Sequence, residues 1–133
     1  MNEVELLLNS LRAASKLSAA KVLFREGYYD DVVSRAYYSM HFAARALLLT
    51  KDIAPKTHKG LVSKFGLEFV NTGFIEKTHA RALNVAMEDR EDADYSIICE
   101  ISDEEAESVI ADAEKFLVRI KEAIKEIRNN ICL

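Results

Sequence analysis

With 133 residues and a net charge of −4, the chain has room for one domain and lacks the strong positive charge of a general nucleic-acid-binding surface. Half of its residues are hydrophobic, enough for a core, but four Gly and one Pro supply too few turns for a β-sandwich or barrel. Cys99 and Cys132 form no CxxC pair and stand far from any His cluster, which points to free thiols in a cytoplasmic protein and to no zinc site.

The N-terminal MNEVELLLNSLRAASK is acidic and has no long apolar core, unlike a signal peptide. A helix is expected from about Glu3 to Glu26, with Val4, Leu7, Leu8, Leu11 and Ala14 at the spacing of one buried face. Gly27 ends it. A second helix, about Asp30 to Lys51, carries a main stripe of Val33, Ala36, Tyr37, Met40, Ala44, Leu47 and Leu48. Phe42, Ala46 and Leu49 fall on its other faces. Being apolar nearly all round, it is either the central helix of a bundle or the face of a dimer. The longest apolar run, Ala43 to Leu49, is interrupted by Arg45, so no segment is expected to span a membrane.

Pro55 makes Ile53 to Thr57 a loop. A shorter helix follows, about His58 to Asn71, with Leu61, Val62, Phe65 and Phe69 inward, until Asn71-Thr72-Gly73 breaks it. A fourth helix is expected from about Phe74 to Tyr95. Ser102-Asp103-Glu104-Glu105 forms a capping box. It opens a last helix to about Asn129, striped by Ala106, Val109, Ile110, Ala113, Leu117, Ile120, Ile124 and Ile127. Four long helices and short connections predict an all-α antiparallel four-helix bundle with one additional short helix, a single domain over residues 1–133.

Polar groups break this pattern. If Leu83, Ala86 and Met87 face inward, Arg90, Asp94 and His79 share their face at 100° per residue. Arg90 and Asp94 are either an i,i+4 ion pair near a helix end or part of a polar pocket flanked by Tyr95, where the guanidinium could grip a phosphate. Arg35, flanked by Tyr38, lies opposite the second helix's main stripe and needs an acidic neighbour, a phosphate or open solvent. His58 sits at a loop-to-helix junction between Lys56 and Lys59, either an anion-binding helix start or an ordinary exposed one. Glu76-Lys77-Thr78-His79 has the E-x-x-H form used in di-iron bundles, but no second copy exists, so no metal is expected. No P-loop, GxGxxG or GxSxG is present, and no cofactor is implied.

Ser34-Arg35-Ala36-Tyr37-Tyr38-Ser39-Met40, then Pro55-Lys56-Thr57-His58, then Arg90-x-x-Ala93-Asp94-Tyr95 together resemble the HEPN family (higher eukaryotes and prokaryotes nucleotide-binding), in particular a small prokaryotic stand-alone branch. The similarity covers about Arg25 to Lys121. It implies a four- to five-helix bundle that forms homodimers. It also implies a separately encoded minimal nucleotidyltransferase as partner in a toxin–antitoxin module, with the HEPN member acting as a metal-independent ribonuclease.

In catalytic members the motif is Arg, four to six residues, then His, often with a nearby Tyr. Arg90 matches the arginine and Tyr95 the tyrosine. No histidine follows Arg90 before Cys99, and Asp94 stands near its place. An Asp accepts a proton but donates one poorly unless its pKa is raised. An imidazole could come from His58, on another helix. The resemblance thus implies a candidate catalytic set of Arg90, Asp94 and Tyr95, and nucleotide or RNA contacts from Arg35, Tyr38, Lys56 and His58. Three functions follow: a nucleotide- or RNA-binding member of a two-protein module, an active ribonuclease toxin with a remodelled site, or a structural helical adaptor.

Overall fold

The computed structural model describes residues 2–95 and 100–131; Cys99 and Cys132 lie outside them. The chain forms an all-α bundle. Its helices are α1 (Glu3–Glu26), α2 (Tyr29–Leu49), α3 (His58–Phe65), α4 (Lys77–Tyr95) and α5 (Asp103–Ile131), with a π-helical turn over Gly66–Val70 continuing α3. No helix among the described residues is long and apolar enough to cross a membrane.

Local chemistry sets the ends of these helices. The Asn2 side chain accepts from the Glu5 N–H at 3.1 Å and starts α1. At its far end Gly27 adopts φ +84°, and the N–H groups of Gly27 and Tyr28 close back on Phe24 and Leu23 in a Schellman turn. A side chain other than Gly would be strained there, so this turn fixes the α1–α2 hairpin. Ser102 caps α5: its hydroxyl accepts from the Glu105 N–H at 3.1 Å and donates to the Glu105 carboxylate at 3.3 Å.

α2 is the central helix. α1, α3, α4 and α5 all pack on it, and its buried residues run round every side from Val32 to Leu49. That resolves the choice its all-round apolar sequence left open. α5 buries Ala106, Ala113, Phe116, Ile120 and Ala123 against it, close to the expected stripe. α4 starts three residues later than expected. Phe74, Ile75 and Glu76 stay outside it because Arg119 of α5 donates to the Phe74 carbonyl and to Glu76, both at 2.8 Å.

α1 overturns an expectation. Val4, Leu7, Leu8 and Leu11 are exposed, at 68%, 58%, 47% and 58%, and Ala14 is exposed as well. The buried side is Leu6, Asn9, Ala13 and Ala20, nearly opposite the leucine stripe at 100° per residue. The reason is close approach. Alanines at 13 and 20 let α1 settle against α2, and the buried Ser39 hydroxyl donates to the Ala13 carbonyl at 2.8 Å. The larger leucines would hold the two helices apart.

Candidate polar site on the central helix

α2 presents Tyr37, Tyr38 and His41 on one side, one turn apart at i and i+4. Tyr37 is completely buried and His41 is 7% exposed. α3 brings His58 to them, and two contacts fix where α3 begins. Arg45 donates to the Pro55 carbonyl at 3.4 Å, holding the loop to α2. The Thr57 hydroxyl accepts from the Gly60 N–H at 2.9 Å. A Cβ on residue 60 would lie 2.8 Å from that hydroxyl, so glycine keeps the cap tight.

The three rings form a hydrogen-bonded chain. The Tyr37 hydroxyl lies 3.3 Å from His41 Nδ1 and is also hydrogen-bonded to His58 Nδ1. The two imidazole centroids are 4.7 Å apart. A hydroxyl has one hydrogen, so it donates to one Nδ1 and accepts from the other Nδ1–H. The two neutral rings therefore hold opposite tautomers. One presents a bare Nε2 and the other an Nε2–H.

α4 closes the cluster with Arg90. Its guanidinium carbon stands 5.3 Å from the Tyr37 ring centroid and 5.7 Å from that of Tyr38. The Arg90 side chain is 13% exposed, and Nη1 reaches Asp94 at 3.4 Å. Its Nε is buried and, among the described residues, has no hydrogen-bond partner. A buried donor left unpaired costs about 1–3 kcal/mol, and Arg119 Nη1 is in the same position.

The electrostatics follow from burial beside cations. Burial, then the charges of His58, Arg45 and Arg90, pushes His41 down to about 4. Burial and Arg90 also lower His58, with Glu91 opposing. Burial drives the Tyr37 hydroxyl well above the usual tyrosine range, although Arg90 works the other way. At neutral pH the cluster thus holds two neutral imidazoles, a protonated phenol and one fixed cation. An anion would find a positive, partly dry site with both proton donors and proton acceptors.

The sequence-derived residues divide. Arg90, Tyr38 and His58 meet here. Asp94 sits at the mouth, its side chain 42% exposed. Tyr95 is 82% exposed. Arg35 and Lys56 are exposed, and among the described residues no hydrogen bond, ion pair or ring contact ties either to the cluster. Sequence reasoning missed His41 and counted Tyr37 only as core. The available signal was a histidine four residues after a tyrosine, on the apolar stripe of a helix with no polar face to spare. Glu76 lies 3.7 Å from His79 Nε2, beside Arg119 and Phe116, and burial lowers His79, so the two form an ion pair only when the imidazole is protonated. Among the described residues no group of three or more His, Cys, Asp or Glu could hold a metal ion.

Several known proteins are similar to the chain along most of its length. A protein of Methanocaldococcus jannaschii named "Putative toxin MJ0605" is 49% identical over 115 residues, 86% of this chain and 85% of that protein. A second from the same organism, "Putative toxin MJ0142", is 39% identical over 119 residues, 90% of this chain and 80% of its own. A "UPF0332 protein" of Thermotoga maritima is 32% identical over 130 residues, 96% and 98% of the two chains. The model of the HEPN domain matches residues 6–124, which takes in most of α1 and α5, all of α2, α3 and α4 and the whole polar cluster, and the chain belongs to the HEPN family.

Proposed function

We propose that this chain is the HEPN member of a two-protein, toxin–antitoxin-like module. It works as a homodimer beside a minimal nucleotidyltransferase, and the pocket around Arg90 takes up a nucleotide or RNA phosphate. The names of the two methanogen relatives support the toxin-type role. The observation that carries the phosphate is Arg90. It packs on two tyrosine rings, and among the described residues its one hydrogen bond is the long one to Asp94 and its buried Nε has no partner. A phosphate oxygen supplies that acceptor, and a second oxygen can take a guanidinium Nη in a bidentate grip. Asp94 at the mouth then acts as the placeholder that the anion displaces.

A second reading rests on a separate observation, the two neutral imidazoles. Cleavage of RNA by its own 2′-hydroxyl needs a base for that hydroxyl and an acid for the leaving 5′-oxygen. Opposite tautomers at His41 and His58 provide one bare Nε2 and one Nε2–H, with Arg90 beside the phosphate charge. In this reading His58, the more open ring, takes the role of the motif histidine absent after Arg90.

One experiment separates the readings. Labelled single-stranded RNA is titrated by anisotropy, and its cleavage is followed in EDTA, for wild type, Arg90→Ala and His58→Ala. Binding weakened by roughly tenfold or more in Arg90→Ala supports the pocket. Cleavage that disappears in His58→Ala while binding persists adds the ribonuclease. Equal RNA affinity in wild type and a folded Arg90→Ala would leave only the structural adaptor. Co-purification with a minimal nucleotidyltransferase encoded beside the chain tests the partnership.

A further inference from the structure

On the far side of α2 from the polar cluster, a groove of about 770 Å³ runs between the first half of α1 and the second half of α5. Small residues make it. Ala13, Ala43 and Ala46 with Ile120 and Ile124 form its floor, and the alanines leave unfilled the space that larger side chains would occupy. Leu7 and Leu11 of α1 stand on one wall, and Val118 of α5, 59% exposed, on the other. The α5 edge carries Lys121, Lys125 and Arg128, spaced i, i+4 and i+7. Glu3 already holds Arg128. Among the described residues no ion pair engages Lys121 or Lys125.

We infer that this groove docks an amphipathic helix from another protein, with an apolar face inward and carboxylates along the flank beside α5. The walls decide the backbone form. Both are helices whose peptide groups are already paired, so they offer no backbone partners to an extended strand. An occupant of a largely apolar groove must satisfy its own N–H and C=O groups, which a helix does. The length agrees: Leu117 to Asn129 spans roughly 18 Å at 1.5 Å per residue, about three turns. The charge decides the flank. Two lysines without an ion pair among the described residues line one edge, while the α1 residues of the lining carry no charge and the nearby Glu3 is taken by Arg128. On a chain of net charge −4 that strip is a local exception, and it selects acid on one side only.

The inference is independent of the phosphate pocket, because the groove uses the opposite side of α2. The test uses two stapled, labelled 14-residue helical peptides. Both carry Leu at i, i+4, i+7 and i+11; one has Glu along a flank and the other Lys. The full chain should bind the Glu peptide at least about tenfold more tightly than the Lys peptide. Lys121→Glu with Lys125→Glu should reverse that order. Leu11→Asp, a change at an exposed position, should abolish binding with the helical circular dichroism unchanged. Equal binding of the two peptides, or binding of neither, overturns the proposal. So does a dimer, seen by light scattering, that Leu11→Asp converts to monomer, since a second copy would then be the occupant.

Discussion

α2 has two contrasting faces, and they are built on opposite principles. One carries Tyr37, Tyr38 and His41, large groups whose polar atoms are turned towards each other, His58 and Arg90. The other carries Ser39, Ala43 and Ala46, small groups that bring α1 close at one end and leave a groove at the other. On the first face the protein keeps polar groups away from water and joins Tyr37, His41 and His58 in a network, while among the described residues Arg90 Nε has no partner. On the second it leaves apolar surface uncovered. One central helix therefore carries a buried polar cluster on one side and an unfilled apolar groove on the other, with the core between them.

The sharpest way to break the polar face is Tyr37→Ala. The ring is fully buried and touches Tyr38, His41, His58 and Arg90 together. Its loss leaves a cavity and removes the hydroxyl between two imidazoles, so roughly 3–5 kcal/mol of stability should go. Chemical unfolding reads this directly. A loss under 1 kcal/mol would mean that the cluster is not a packed unit.

Acid should weaken the same face more gently. His41 is lowered to about 4, and His58 and His79 are lowered too, in each case mainly by burial. Between the ordinary histidine value and about 4 the unfolded chain holds more protons than the folded one. The histidine contribution is therefore complete above pH 6.5 and is lost as pH falls towards 4. His41 alone should account for roughly 3 kcal/mol across that window. Asp89, raised by burial and by Asp92, Glu105 and Glu88, offsets part of it at the acid end. Urea midpoints from pH 7 to 4.5 test the slope, and His41→Gln should flatten it.

How much of this the sequence disclosed depends on what each residue's partner was. The α5 stripe and the Ser102 cap were legible because both are local, set by residues within a few turns of each other. Arg90 was legible as an inward cation from helix geometry alone. Its stacking on Tyr37 and Tyr38 was not, since nothing in α4 says which face of α2 it meets. His58 was recognisable as a helix start, but its place beside Arg90 depends on Arg45 holding Pro55, a contact across a loop. His41 was hidden by its own stripe: a periodicity that marks a buried face does not distinguish apolar core from polar network. In α1 the periodicity gave a correct apolar stripe and the wrong burial, because close approach through alanine outweighed the area of leucine.

The small-residue face predicts smaller losses. Ser39→Ala removes the hydroxyl that donates to the Ala13 carbonyl at 2.8 Å. That carbonyl lies within α1 and retains its own helix partner, so no buried group is orphaned. The cost should be about 1 kcal/mol, well below that of Tyr37→Ala. A larger loss would show that this bond, rather than the alanines, sets the α1–α2 distance.

The smallest effect should come from the residues that look most like core. Leu11→Ala changes a side chain 58% exposed at the groove wall, and stability should move by less than about 0.5 kcal/mol. Leu6→Ala, five residues earlier and 3% exposed, should cost roughly 2–4 kcal/mol. The two leucines have the same chemistry and sit on one helix, so thermal unfolding of the pair isolates burial as the only variable. If both substitutions cost the same in dilute solution, where no partner fills the groove, the leucine face of α1 would have to be covered in the isolated protein. If they differ as stated, α1 holds its leucines ready for another surface while its alanines hold the fold.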